Sequence, residues 1–194
     1  MTTRATIVRL QVQRSRLKPG PRAARVYDPA PLIEVDALEL GPRGAVGQTP
    51  DGPVVDVHCA DHPDTRNVRL TNGVSVLTQA HYIALRERYG PHLTDGTAGE
   101  SLLLDGWPDK DAAGTAPPND LLVETAAGGR LLLSGLAPAQ PCVEFTRFCL
   151  GTDPDDVSDE MRGALAELAD GARGYYARLD EVGTIRVGAK VWAA

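Results

Sequence analysis

Three cysteines are the residues in this sequence best suited to nucleophilic or metal-binding chemistry. Cys59, Cys142 and Cys149 cannot all pair with one another within one chain, and the N-terminal residues carry no apolar segment of a secretory signal. We therefore expect free thiols in a reducing compartment, where packing in the core is the default role for any one cysteine. Cys142 follows Pro141, whose ring fixes the local backbone and would hold a thiol in place.

The charge balance argues against nucleic-acid partners. The chain of 194 residues carries a net charge of -6 and has a pI near 5.2. Such a balance disfavours binding to a phosphate backbone but is compatible with a local basic pocket. No apolar run in the sequence approaches the length of a membrane span. We expect a cytoplasmic protein that acts on a small molecule, with no nucleic-acid and no membrane partner.

Alternating apolar and polar residues predict strands in the first half of the chain. The predicted strands cover residues 5–12, 32–40, 54–57 and 68–70. Between them, the stretch 41–53 holds four glycines and three prolines, a composition that predicts a surface loop. Thr78 is a suitable N-cap for a helix that would end at about Arg88, before Gly90.

The second half continues with short strands and a helix. The predicted elements are a strand at 102–104, a hairpin at 121–133, a helix that begins at Ser158, and strands at 175–179 and 184–192. Residues 107–119 are rich in proline, glycine and alanine and predict a long loop. Many short strands with two helices, and no alternation of strand, helix and strand, predict a mainly β fold with a few helices. We expect one domain over residues 1–194, an antiparallel or mixed barrel with its core at about 7–191.

Four stretches, in order along the chain, resemble the MOSC domain family. Asp56-Val57-His58 with Arg66-Asn67-Val68 downstream is similar to the family's G-D-x-H and R-x-V, and residues 96–102 are similar to its G-x-x-G-E-N-L. Pro141-Cys142 is similar to its P-C, and residues 173–177 with 183–188 resemble its closing R-G-x-Y-A and G-x-I-x-x-G-D. Each stretch alone is weak, but their order and spacing predict a stand-alone member, similar to the C-terminal domain of molybdenum cofactor sulfurase.

The resemblance implies a β-barrel that binds the molybdenum cofactor, in which a pterin dithiolene holds the metal. It assigns Cys142 as the catalytic residue and metal ligand, and a thiolate is a soft ligand suited to such a metal. The residues it assigns to cofactor binding are Asp56, His58, Arg66, Gly99, Glu100, Ser101 and Arg173. The sequence departs from the family at Val55, Ser101 and Ala189, where glycine, asparagine and aspartate are usual, and we expect all three near the pocket.

The chemistry of the implied residues is compatible with this cofactor. Arg66 and Arg173 could bind the pterin phosphate through charge-assisted bonds. An internal ion pair of either arginine with Glu100 or Asp56 is an alternative that the sequence leaves open. Glycines at the second motif would let main-chain amides approach a ring or an anion closely.

Three functions remain open at the level of sequence. The first is a molybdenum-dependent oxidoreductase that reduces N-hydroxylated or N-oxygenated small molecules. It would need an electron-donor protein, because the chain has no cysteine set for an iron–sulfur cluster and no flavin motif. The second is a metal-free sulfur transferase or biosynthetic enzyme in which Cys142 carries a persulfide or acts as a nucleophile. Arg147 or His58 would supply positive charge and Cys149 a resolving thiol. The third is a non-catalytic cofactor carrier.

Overall fold

The computed structural model describes residues 5–21, 24–65, 67, 69–107 and 117–194, which contain twelve strands and three helices. The strands are β1 (Ala5–Gln13), β2 (Leu32–Val35), β3 (Ala37–Gly41), β4 (Gly44–Thr49), β5 (Gly52–Val55), β6 (Val74–Thr78), β7 (Leu102–Asp105), β8 (Leu121–Glu124), β9 (Arg130–Pro138), β10 (Tyr175–Arg178), β11 (Gly183–Arg186) and β12 (Lys190–Ala193). The helices are α1 (Gln79–Tyr89), α2 (Val143–Leu150) and α3 (Asp159–Glu167).

Seven of the strands close into a barrel. They follow the order β12, β8, β9, β10, β6, β7 and β1, and pairing of β1 with β12 closes the ring. The first strand is long enough to pair with β12 at its start and with β2 at its end, while β7 pairs with its middle. A second sheet of four strands, in the order β11, β3, β4 and β5, packs beside the barrel. The predicted fold class, mainly β with a few helices in a MOSC-type barrel, is confirmed.

The apolar residues at the start of β7 pack into two separate hydrophobic clusters. Leu102 and Leu104 point into the barrel, whereas Leu103 points outward into a second cluster that includes Phe145 and Tyr82. Because successive strand residues face opposite sides, a strand buried on both faces is a continuous apolar run and not an alternating one. The second cluster lies between the barrel wall and the helices, and it forms the support on which the candidate site is built.

One strand–helix–strand unit is present, which the sequence pattern did not predict. Strand β6 runs into α1 and then to β7, and β6 and β7 are parallel neighbours in register from Val76 and Leu102 onwards. A parallel pair needs such a crossover connection. Thr78 is the N-cap of α1, as predicted, and the helix ends at Tyr89 with Gly90 as its C-cap. The barrel is therefore mixed, and the expectation of no such unit was wrong.

The stretch 41–53 is not a loop. It contains two hairpin turns, between β3 and β4 and between β4 and β5, and its turn glycines Gly44 and Gly52 have φ of 123° and 116°. Gly47 lies inside β4, where a Cβ would meet the Val12 side chain at 3.0 Å. The glycines and prolines thus mark turns and a close approach within a sheet, a pattern that composition alone does not distinguish from a loop.

Other sequence predictions need correction in detail. The predicted strand at 54–57 is β5 and ends at Val55; Arg69 and Leu70 form a turn, while Val68 lies outside the described residues. Strand β6 and helix α2 were not predicted, and residues 184–192 contain parts of two strands in place of one. Most of the predicted loop at 107–119 falls on residues 108–116, which lie outside the described residues.

Two local predictions of the second half hold. The hairpin is formed by β8 and β9, and Ser158 caps α3 by accepting a hydrogen bond from the backbone N–H of Met161. In the described part of the chain, none of the helices combines the length and the apolar character needed to cross a membrane.

Candidate functional site

A cavity of about 520 Å³ opens beside the barrel and gathers five of the residues that the sequence singled out. Its wall contains His58, Gly99, Glu100, Cys142 and Arg173. These residues come from four separate segments: the loop after β5, the loop before β7, the start of α2 and the segment before β10. The volume lies within the range typical of pockets for small molecules and cofactors.

Cys142 stands at the N-terminus of α2. It is the N-cap residue, with extended φ and ψ of -129° and 147°, and its carbonyl accepts hydrogen bonds from Thr146 N and Oγ1 at 3.0 and 2.9 Å. The side chain is half-buried and reaches the cavity. The N-terminal amides of a helix carry partial positive charge, so the start of α2 adds positive potential to this side of the cavity.

Arg173 is the cation that faces Cys142. Its guanidinium stacks over the Phe145 ring at 4.9 Å from the ring centre and bonds the Ala98 carbonyl weakly at 3.4 Å. Burial opposes its charge, yet the Cys142 thiol and the Tyr27 phenol nearby raise the pKa of Arg173 above its ordinary value. Its Nε is buried without a hydrogen-bond partner. A fixed guanidinium with an unused donor is suited to binding an anionic group.

The ion pair that the sequence left open for Arg173 does not form. Among the described residues, neither Glu100 nor Asp56 makes a salt bridge with this guanidinium. Arg66, the other arginine for which the pair was considered, lies outside the described residues. Arg147 donates to the Asp156 carbonyl through Nε at 2.9 Å. Arg173 thus supplies positive charge beside Cys142, a role that the sequence suggested for Arg147 or His58.

Glu100 is a buried acid in the cavity wall. Its exposed fraction is 2 %, and Tyr82 donates a hydrogen bond to its Oε2 at 2.7 Å. Its other carboxyl oxygen, Oε1, is buried without a partner. Burial raises the pKa of Glu100 to about 7, although the Tyr82 bond and the charge of Arg9 act in the opposite direction.

Asp56 and His58 form a dyad at the edge of the cavity. The Asp56 carboxylate is buried and lies 3.0 Å from His58 Nδ1, while it also accepts bonds from the backbone N–H groups of His58 and Gln13. A carboxylate in this position fixes the orientation of an imidazole, which leaves Nε2 as the nitrogen available to a ligand. His58 lines the cavity and Asp56 lies behind it.

The loop that carries Glu100 is clamped by buried side chains of β1 and its following segment. Gln11 donates to the Gly96 carbonyl at 2.7 Å, Gln13 to the Gly99 carbonyl at 2.8 Å, and Tyr27 to the Thr97 carbonyl at 2.7 Å. Both glycines have positive φ, and a Cβ at Gly99 would lie 2.9 Å from the Gln13 amide. The space left by the missing Cβ atoms is therefore filled by the protein's own side chains.

The three departures from the family pattern do not surround the cavity. Val55 lies at the end of β5, and Ala189 packs in the core of the barrel. Ser101 lies behind the cavity wall: its backbone N–H donates a hydrogen bond to Ser75 Oγ at 3.1 Å, and Ser75 lines the cavity. The expectation that all three lie at the pocket was wrong for Val55 and Ala189, because both are engaged in sheet packing.

The expected role of Cys149 as a resolving thiol is excluded by helix geometry. Cys142 and Cys149 are separated by seven residues along α2, a rise of roughly 10 Å. A disulfide requires Cα atoms less than about 7 Å apart. Cys149 is fully buried, and burial raises the pKa of its thiol to about 12, so that it packs as a small apolar residue.

A basic rim was not predicted from the sequence. Arg16, Lys18 and Arg25 line the mouth of the cavity, and Asp64 pairs with Arg16 at 3.5 Å. A group of cations within ten residues of an acidic chain is the signal that could have revealed it. Together with Arg173, this rim gives the cavity an excess of positive charge that suits an anionic ligand.

The structure combines a closed barrel with a cationic cavity at its side that contains a thiol. The comparisons with known proteins agree with this architecture. The model of the MOSC domain family matches residues 57–192, so this chain belongs to the MOSC family. The predicted membership is thereby confirmed. No curated protein matches the chain.

Two solved structures share the fold. The YuaD protein of Bacillus subtilis superposes with a TM-score of 0.58 at 12 % identity, covering 98 % of this chain and 96 % of its own. YiiM of Geobacillus stearothermophilus superposes with a TM-score of 0.52 at 18 % identity, covering 98 % of this chain and 75 % of its own. At these identities the likeness concerns the fold.

Proposed function

We propose that this chain binds the molybdenum cofactor in the cavity, with Cys142 as the metal ligand, and reduces N-hydroxylated or N-oxygenated small molecules. The observation that carries the proposal is the meeting of three features in one cavity: a half-buried thiol at a helix N-terminus, the Arg173 guanidinium and the basic rim. Membership of the MOSC family agrees with this cofactor.

The residues present fit the cofactor. A pterin cofactor of this kind presents a phosphate, a ring with polar edges and a sulfur-bound metal. The cations at the mouth and Arg173 suit the phosphate, and the Cys142 thiolate suits the metal. Asp56 would hold His58 in one orientation beside it. When bound, the cofactor would supply the two-electron redox chemistry that no side chain offers.

The proposed reduction also requires an electron source outside the chain. Three cysteines, of which Cys59 and Cys149 are buried, do not provide an iron–sulfur cluster. An electron-donor protein would therefore re-reduce the bound cofactor after each turnover. The protein residues would bind and orient the substrate and deliver protons.

Analysis of metal and pterin in protein purified from a cofactor-competent host tests the proposal. Wild type should contain both in near-stoichiometric amounts. The Cys142→Ser variant should lose most of its molybdenum, since removal of a metal ligand costs far more than the 10- to 100-fold in affinity typical of groups that only orient a ligand. Cys149→Ser is the matched control, because it removes a buried thiol of the same helix that does not reach the cavity.

Other outcomes assign other functions. Retention of metal by Cys142→Ser would contradict the ligand assignment. Wild-type protein without metal or pterin, but with a mass gain of sulfur from a sulfur donor that Cys142→Ser abolishes, would indicate metal-free sulfur transfer. Bound cofactor without turnover of any N-oxygenated compound would indicate a carrier.

A further inference from the structure

Two hydroxyl side chains stand next to each other on the outer wall of the barrel, inside the cavity. Ser75 of β6 and Tyr176 of β10 are directly opposite each other in the antiparallel pair, and both are half-buried and line the cavity. Because successive residues of a strand face opposite sides, Tyr175 points into the barrel core, whereas Tyr176 points outward. Opposite residues of neighbouring strands have Cβ atoms roughly 5 Å apart. A small ligand on this wall can therefore contact both side chains.

The protein already uses the Ser75 oxygen as an acceptor. Its Oγ accepts from the backbone N–H of Ser101, just before β7, at 3.1 Å. The Ser101 hydroxyl oxygen lies 3.5 Å from it, which is longer than a normal O–H···O bond. A hydroxyl has one hydrogen to donate in addition to its acceptor lone pairs. The hydrogen of Ser75 is therefore the part that remains for a ligand in the cavity.

The Tyr176 hydroxyl lies beside the cation of the site. Burial opposes the charge of Arg173, whereas the nearby Cys142 thiol and Tyr176 phenol raise the pKa of its guanidinium. The Tyr176 oxygen does so in part as a hydrogen-bond acceptor, and a phenol that accepts from a cation becomes a stronger donor itself. Because Arg173 also interacts with Cys142, this donor lies on the same side of the cavity as the thiol.

Tyr176 differs in its hydrogen bonding from the two buried phenols of this region. Tyr27 donates to the Thr97 carbonyl at 2.7 Å, and Tyr82 donates to Glu100 Oε2 at 2.7 Å. Within the part of the chain that the structure describes, the Tyr176 hydroxyl has no acceptor of this kind, although its side chain reaches the cavity. Its hydrogen is thus available to a bound molecule.

We propose that Tyr176 and Ser75 bind the oxygen atom of an N-oxygenated substrate, each through its hydroxyl hydrogen. The inference rests on the proposed function for the reaction that follows. In that reaction the N–O bond breaks, two electrons come from the cofactor and are replaced by the electron-donor protein, and two protons from solvent complete the amine or amidine and water. Neither hydroxyl is consumed. The two hydrogen bonds orient the oxygen and stabilise the negative charge that it gains as the bond breaks.

The same pair of hydroxyls distinguishes the substrate from the product. The amine or amidine that remains has lost the oxygen, and with it the acceptor for both hydroxyl groups. A site that hydrogen-bonds an oxygen binds an analogue without that oxygen more weakly. The pair therefore favours binding of the N-oxygenated compound and release of the reduced one.

The first test compares Tyr176→Phe with wild type in the reduction of benzamidoxime, with a reduced viologen as the electron source. We expect unchanged molybdenum and pterin content and a kcat about 100-fold lower, the effect of removing one donor to a developing oxyanion. Tyr175→Phe is the matched control, because it removes the neighbouring hydroxyl on the face of β10 that points into the barrel. Its kcat should stay near that of wild type.

A second variant keeps the inference testable if Tyr176→Phe folds poorly. Ser75→Ala should raise the KM for benzamidoxime about 5-fold, the size expected for one neutral hydrogen bond. Ser134→Ala is its control, since the Ser134 hydroxyl donates to the Arg178 carbonyl at 3.4 Å and does not line the cavity. The control should leave the KM unchanged.

A binding measurement needs neither turnover nor cofactor. In protein labelled with ¹³C at the tyrosine ring carbon that bears the hydroxyl, one of the five tyrosine resonances is assigned to Tyr176 by its absence from Tyr176→Phe. Pyridine N-oxide should shift this resonance, and pyridine, which lacks the oxygen, should not. The N-oxide should also bind about 30-fold more tightly than pyridine, as expected for two neutral hydrogen bonds. The double variant of Tyr176→Phe and Ser75→Ala should lose this preference.

The outcomes distinguish this inference from the proposed function. A wild-type kcat in Tyr176→Phe, or equal affinity of the wild-type protein for pyridine and its N-oxide, would overturn the assignment. Loss of cofactor from Tyr176→Phe would also overturn it, because the hydroxyl would then hold the cofactor and not the substrate. If wild-type protein contains no molybdenum, the proposed function fails, and the preference for pyridine N-oxide alone decides whether the two hydroxyls bind an oxygen ligand.

Discussion

Glu100→Gln should be more stable than wild type by about 3 kcal/mol above pH 8 and of nearly equal stability near pH 4. The acid is buried, and its pKa of about 7 lies some two and a half units above the value of 4.5 for an unfolded chain, at about 1.4 kcal/mol for each unit. Glutamine has the same shape and stays neutral, so that the difference between the two proteins isolates the ionisation of this carboxyl.

The direction in which the stability of the wild type changes with pH follows from proton linkage. The pKa of Glu100 is raised in the folded protein, so the neutral acid contributes stability that is fully present below the unfolded value and is lost as pH rises through about 7. Urea unfolding of wild type and Glu100→Gln from about pH 4 to about pH 8.5 measures this change in the free energy of unfolding. The exposed Glu181→Gln variant controls for the loss of one formal charge. A difference between wild type and Glu100→Gln that is constant with pH would show that folding does not shift the pKa of Glu100.

The sequence predicted the barrel because alternation and turn residues act locally. Strand β1, the β8–β9 hairpin and the Ser158 cap each depend on a short pattern. Helix α2 was not predicted because Val143, Thr146 and two phenylalanines favour strands in isolation. In the folded protein, burial of Phe145 and Cys149 against the barrel overrides that preference. The two hairpins of β3–β5 were not predicted because their turns are as rich in glycine and proline as a loop.

The candidate site was predicted in part for the same reason. Motif order identified Cys142, Glu100 and Arg173, which the fold brings to one cavity. What the sequence did not contain is information on partners across space: the Tyr82 hydroxyl that occupies one oxygen of Glu100, or the glutamines of β1 that hold its loop. Burial of the polar side chains Gln11 and Gln13 on one face of β1 depends on elements far away in the chain, so no local pattern marks it.

Gly174→Ala should lower the free energy of unfolding by about 4 kcal/mol, whereas Gly188→Ala should lower it by about 1 kcal/mol. Both glycines have positive φ, 98° and 87°, and therefore share the cost of placing a side chain in the left-handed region. A Cβ at Gly174 would lie 1.9 Å from Leu77 Cδ1 and 2.8 Å from the Val76 carbonyl oxygen, while a Cβ at Gly188 would meet nothing within 4 Å. The difference between the variants thus measures the clash alone.

The clash at Gly174 cannot be relieved without moving the site. Val76 belongs to β6, which pairs with β10 opposite Tyr175, and the Gly174 carbonyl accepts from Ala139 N at 2.8 Å, so the backbone is held on two sides. Any shift of residue 174 would displace Arg173 and with it the guanidinium beside Cys142. On the proposed function, Gly174→Ala should therefore lose cofactor as well as stability, measured by urea unfolding and by metal content of the folded fraction, and Gly188→Ala should retain its metal. Equal losses of stability and of metal in the two variants would mean that β6 moves to accommodate the new methyl group. The barrel wall would then position Arg173 less firmly than these contacts imply.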